Sequence, residues 1–180
     1  MADPILLGLC GALRAASTNH ILMQAAARAF GPCTFSKGDL RLPLYDGDLE
    51  AEGIPQPVTL LAQQIAQADA VVVVTPEYNK ALSGVLKNAL DWVSRVPGGV
   101  WRDKPVAIMS AAAGRAGGER AQSSLRLCLT PFRPRILSGP EVMIANSAQA
   151  FAADGQIMDA RTQALLQELM GDLRAACRPA

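Results

Sequence analysis

The chain is predicted to be an α/β protein, a three-layer sandwich built on a parallel sheet. Continuous apolar runs at Ile5 to Cys10, Ala70 to Thr75 and Pro105 to Ala111 are too short for buried helices and read as strands covered on both faces. Amphipathic segments stand between them, and that alternation specifies parallel strands joined by right-handed helical crossovers. With 180 residues, half of them hydrophobic and 18% charged, the chain can bury a core without disulfides or metals and is expected to form one domain over 1–180.

Strand one, Ile5 to Cys10, leads through Gly11 to a helix over His20 to Phe30, whose apolar face is Ile21, Leu22, Ala25, Ala26, Ala29 and Phe30. Gly31-Pro32 stops that helix, and Cys33 to Ser36 reads as a short second strand. Leu40 to Glu52 carries too many turn residues for regular structure and reads as a solvated loop. Its alternating acids, Asp46, Asp48, Glu50 and Glu52, do not make a calcium loop, because Ala51 and Pro57 stand where glycine and glutamate are required.

Pro57 to Ala68 is the next helix, with proline in its first turn, and it precedes the β-branched run Ala70 to Thr75 at the sheet centre. Leu82 to Val96 forms a helix ended by Gly98-Gly99, and Pro105 to Ala111 the fourth strand. A glycine-rich loop, Ala112 to Gly118, opens a helix over Glu119 to Leu129. Glu141 to Ala145, joined or not to Arg135 to Leu137, supplies the fifth strand, and Met158 to Ala176 closes the fold with Leu165, Leu166, Leu169 and Leu173 on one side. In a five-stranded sheet of flavodoxin-like order 2-1-3-4-5, the loops after Cys10, Thr75 and Ala111 meet beyond the carboxyl ends of the strands, where ligands bind.

The formal net charge of +1 offers no electrostatic footprint for nucleic acid or an anionic membrane. Four scattered cysteines without a CxxC pair, and a single histidine, His20, indicate reduced thiols and no metal site. No signal segment or membrane-length apolar run is present, so a cytoplasmic protein is expected.

The first loop gathers main-chain amides at a helix N-terminus and adds Arg14, Ser17, Thr18 and Asn19, a combination that attracts phosphate. It has neither the Walker A nor the GxGxxG pattern, so a terminal phosphate monoester suits it better than a nucleoside triphosphate. Plain helix capping by Ser17 or Asn19 is the alternative. In the second loop Pro76 ends ladder pairing, and Glu77, Tyr78 and Asn79 present polar groups beside an aromatic ring, which suits a flat heteroaromatic ligand.

Taken together, GALRAASTN, then PEYN with Gly84 and LKNALDW, then SAAAGRAGGERA, resemble the signature of the NADPH-dependent FMN reductase family, along nearly the whole chain. The resemblance implies a flavodoxin-like fold that binds FMN. Gly11, Ala12, Leu13, Arg14, Ser17, Thr18 and Asn19 would hold the phosphate, Pro76 to Asn79 would line the isoalloxazine, and Ser110, Ala111, Ala112 and Gly114 would border its other side. It further implies a ping-pong oxidoreductase in which NADPH or NADH donates a hydride to flavin N5 and quinones, chromate, azo compounds or free flavin take the electrons.

No side chain of the protein is then a catalytic nucleophile. Homodimers or homotetramers are the implied assembly, with Leu86, Leu90, Trp92 and Val93 as contact candidates. The rival is a non-enzymatic flavodoxin-type carrier or a flavin-binding sensor, and the near-neutral charge argues against an acidic carrier. Ala12, Ala81 and Ser83 depart from the serine, serine and proline common in the family at those places.

Overall fold

A computed structural model describes residues 3–177. Parallel strands β1 (Ile5–Cys10), β2 (Thr34–Gly38), β3 (Ala70–Thr75) and β4 (Pro105–Ala111) lie in the order β2-β1-β3-β4, and the far edge of β4 carries β5 (Arg135–Ile136) and β6 (Val142–Ile144). The two short strands occupy successive stretches of one edge. β5 pairs with Pro105 and Val106, and β6 with Met109 to Ala111. The predicted fifth strand is therefore present in its expected place but interrupted, the chain leaving the sheet around Gly139 and Pro140, where proline offers no ladder donor.

Alternation along the strands builds two cores. Leu6, Val72, Val74, Ala107 and Met109 face helices α1 (Thr18–Phe30) and α6 (Ala160–Ala175). Leu7, Leu9, Val71, Val73, Val106 and Ile108 face α3 (Gln56–Gln67), α4 (Gly84–Val93) and α5 (Glu119–Leu129). The period of two sends neighbouring residues to opposite faces, so the central strands β1, β3 and β4 are apolar almost throughout, while the edge strand β2 is only partly buried.

Three expectations change. The stretch Leu40 to Glu52 is not wholly loop, because α2 (Gly47–Ala51) forms where the Asp46 side chain accepts from the Asp48 N–H at 2.9 Å and caps it. Helix α6 buries Leu166, Leu169, Met170 and Leu173, while Leu165 is only partly covered. Leu86, Leu90, Trp92 and Val93 are at most 3% exposed within the subunit, so they cannot form an interface between subunits. Trp92 instead donates its indole N–H to the Pro43 carbonyl at 2.8 Å, a group that Asn88 also bonds at 2.8 Å, and the two anchor the β2–α2 connection on α4.

Candidate functional site

The three loops meet at the carboxyl edge of the sheet, as the strand order requires. Gly11 lies at the crossing of the first two. Its N–H bonds the Val74 carbonyl at 2.8 Å, and a Cβ there would stand 2.6 Å from Ser83 Oγ and 3.3 Å from Pro76 Cδ, so only glycine lets the loops touch.

Beyond Gly11 the first loop runs outward. Among the described residues, the N–H groups of Leu13, Arg14, Ala15 and Ala16 have no hydrogen-bond acceptor, and these residues are exposed. Ser17 caps α1 by accepting from the Asn19 N–H at 3.3 Å, which confirms the capping role and leaves its hydroxyl proton free. Arg41 supports the loop from outside by donating to the Leu13 carbonyl at 2.9 Å. Free amides at the start of a 13-residue helix, with Arg14 beside them, form a donor set that fits a phosphate monoester.

Asn19 behaves differently from the expectation of a phosphate ligand. It is 2% exposed, donates Nδ2 to the Ala111 carbonyl at 2.9 Å, and accepts from the Ala111 N–H on Oδ1 at 3.0 Å. Both ends of the amide are occupied, so Asn19 clamps α1 to the end of β4. Thr18, next to it, donates to Ser147 Oγ at 3.1 Å and ties the same helix to the loop after β6.

In the second loop Tyr78 and Ala81 exchange both backbone hydrogen bonds at 3.1 Å around Asn79 and Lys80, whose φ values are +49° and +67°. This is a two-residue turn of the mirror-image kind. It leaves Tyr78 60% exposed. Glu77 points the other way: its carboxylate accepts from the N–H groups of Arg120 and Ala121 at 3.1 and 3.3 Å, supplying the cap that Gly118 cannot give to α5.

Ser110 is fully buried and donates to the Gly117 carbonyl at 2.7 Å, so its side chain shapes the third loop from beneath. Gln122 donates to both Ser110 Oγ at 2.8 Å and the Val142 carbonyl at 2.9 Å and locks that loop to β6. Ala112 is pinned by the Ile144 carbonyl and to the Ser147 N–H, while Gly114 stands in the open. Gln122, Ser124, which receives the Leu82 N–H at 2.8 Å, and Ser147 were not foreseen. Each bonds a residue at least 12 positions away in sequence, which no local motif announces.

A cavity of about 400 Å³ between β6 and the start of α6 adjoins the third loop, where Gly117 packs against Met143 and Ala145, and one of about 530 Å³ lies between α3 and residues 96–104. The loops themselves form an open edge. An open edge leaves one face of a flat ligand accessible to a second molecule.

Two local groups respond to this environment. Burial, with the charges of Lys37 and Arg41, holds the His20 imidazole below its ordinary pKa, against an opposing bond to the Ala12 backbone. The folded protein therefore resists protonation more than the unfolded chain does, and stability falls as pH drops below about 6.5. His20→Asn is expected to flatten the FMN-free protein's loss of Tm between pH 7 and pH 5; an unchanged slope counts against this. Cys10, buried behind the first loop, has its thiol pushed up by burial and is inert packing.

Ser83 stands where the resemblance implies a proline, and its buried Oγ has no partner. Its φ of −67° suits proline, and its N–H reaches only Thr75 Oγ1 at 3.4 Å. Ser83→Pro is expected to stabilise by about 0.5–1 kcal/mol, read as a higher urea midpoint at unchanged slope. A lower midpoint would show that the weak N–H bond matters more.

The description of NADPH-dependent FMN reductases matches residues 4–149 of this chain. An NAD(P)H-dependent FMN reductase of Pseudomonas aeruginosa is 41% identical over 177 residues, covering 97% of this chain and 96% of that protein. A quinone reductase of Escherichia coli is 38% identical, covering 93% and 90%. The solved structure of FerB, a flavoenzyme NAD(P)H:(acceptor) oxidoreductase from Paracoccus denitrificans, superposes with a TM-score of 0.87 at 34% identity and 97% coverage of both chains. On this evidence the chain belongs to the NADPH-dependent FMN reductase family.

Proposed function

We propose that this protein is an FMN-dependent NAD(P)H oxidoreductase whose acceptors are quinones and similar two-electron oxidants. The observation that carries the reading is the row of unpartnered amides from Leu13 to Ala16, with Arg14, beside the Tyr78 turn. When bound, FMN supplies the redox chemistry, taking electrons from the nicotinamide and releasing them to the acceptor. The chain's own work is placement. The amides of Leu13 to Ala16 and of Thr18, with the side chains of Arg14 and Ser17, hold the phosphate, the backbone of Pro76 to Asn79 lines the ring edge, and Ala111, Ala112 and Gly114 border its other side. Asn19, Glu77 and Ser110 position these loops through their side chains instead of touching the ligand.

Quinone-type acceptors are supported by the quinone reductases among the relatives, including a 2-hydroxy-1,4-benzoquinone reductase of a Burkholderia species. Four unpaired cysteines support a reducing, cytoplasmic location. A homodimer or homotetramer goes with the same reading. Leu44, 81% exposed beside the anchored Pro43, is a natural contact point for it.

Anaerobic mixing of the FMN-loaded protein with NADPH or NADH tests the activity. Rapid bleaching of the flavin absorbance, reversed by a quinone, is expected; bound but unbleached FMN would leave only a carrier or sensor. Arg14→Ala with Ser17→Ala is expected to weaken FMN binding by about 30- to 300-fold, from the loss of charge-assisted and neutral hydrogen bonds to phosphate. Unchanged affinity would remove the phosphate role from the first loop.

A further inference from the structure

Lys80 occupies the second central position of the Tyr78–Ala81 turn at φ +67°, a backbone region that glycine, asparagine or aspartate enters at less cost. Among the described residues its ammonium group makes no hydrogen bond and no ion pair, and the residue is exposed. Nothing inside the protein therefore accounts for a lysine at this position. No ion pair joins it to the Glu77 carboxylate, which accepts instead from the amides of Arg120 and Ala121 at the start of α5.

The same two bonds bring the turn against the first turn of α5. Arg120 is exposed there, and Arg115 is exposed on the third loop. Neither guanidinium has an ion-pair partner among the described residues. Glu119 is the acid among them, and it lies in the first turn of α5, where the helix dipole favours it. Strain at an exposed, unpaired cation on the lip of an open ligand edge points outward, to a charge that arrives with a second molecule.

We infer that Lys80 captures a phosphate group of the incoming nicotinamide dinucleotide while the nicotinamide lies over the flavin. This rests on the flavin reading above and extends it to a residue that reads the donor. A long, flexible ammonium arm suits a ligand that must bind and leave in every turnover. The phosphate is either the 2′-phosphate, carried by NADP alone, or the pyrophosphate, carried by both dinucleotides, and one experiment separates them.

Oxidised, FMN-loaded protein is titrated with NADP⁺ and with NAD⁺, following perturbation of the flavin spectrum. The variants are Lys80→Gly, Lys80→Arg and, as a control for net charge, Lys87→Gln, whose native lysine pairs with Asp91 on α4. Lys80→Gly is expected to raise the Kd by about 3- to 10-fold at low salt, with Lys80→Arg restoring most of it and Lys87→Gln changing nothing. Loss for NADP⁺ alone assigns the 2′-phosphate; equal loss for both assigns the pyrophosphate. Lys80→Gly is also expected to raise Tm by about 2 °C as the turn relaxes, so weaker binding cannot be put down to unfolding. Unchanged Kd for both nucleotides overturns the inference, as does a Lys80→Arg variant that behaves like Lys80→Gly. Failure to take up FMN overturns the flavin reading itself, and shows before any dinucleotide is added.

Discussion

Asn19→Leu is expected to cost about 2–5 kcal/mol of stability and to weaken FMN binding together with it. The substitution removes both hydrogen bonds that Asn19, itself only 2% exposed, makes to Ala111 at 3.0 and 2.9 Å; the Ala111 N–H keeps its ladder acceptor on β3, while the carbonyl is left without a partner. An unsatisfied buried polar group costs about 1–3 kcal/mol, and the second lost hydrogen bond adds about 0.5–1.5 kcal/mol. For a chain of this size that corresponds to a fall in Tm of roughly 5–15 °C.

Asn19→Asp should not rescue it. An aspartate keeps the acceptor facing the Ala111 N–H but sets a second carboxylate oxygen against the Ala111 carbonyl. The effect on FMN follows from the proposed site, because Asn19 is the side chain that registers the first loop against the end of β4. A Tm within 2 °C of wild type for Asn19→Leu would mean that the clamp is dispensable.

The second large effect is expected at Gly118. A methyl group there would sit 2.7 Å from both Cβ and Oγ of Ser110, with φ at +98°. Ser110 cannot retreat, being fully buried and bonded to Gly117 and Gln122. Backbone strain and overpacking then add, and Gly118→Ala should destabilise by about 2–4 kcal/mol, measured by urea unfolding. Gly114→Ala is the matched comparison. Its Cβ would meet nothing within 4 Å, so its stability is expected to stay within about 0.5 kcal/mol. Equal effects at the two glycines would show that loop flexibility, and not the contact with Ser110, is what Gly118 provides.

The fold was legible because its signals are local and repeated. Runs such as Ala70 to Thr75 can be satisfied only between two helical layers, and the helices capped by Ser17 or carrying Pro57 in the first turn have their own start signals. Boundaries were less legible. The expected helix from Leu82 to Val96 spans only Gly84–Val93, and the short α2 depends on one aspartate side chain turning onto its own backbone. The contact role expected of Leu86, Leu90, Trp92 and Val93 shows the same limit, since an apolar helical stripe looks alike whether it faces the core or another subunit.

At the site, sequence alone determined where the loops fall, which residue types they carry and which family they resemble. These follow from the order of strands and from short motifs contiguous in the chain. It could not determine what each polar side chain does there. Asn19, Glu77 and Ser110 sit among ligand-like residues, yet their hydrogen bonds run to Ala111, to the start of α5 and to Gly117. Such assignments depend on which backbone groups the packed helices and strands leave unpaired, and that is settled only when parts of the chain distant in sequence are brought together.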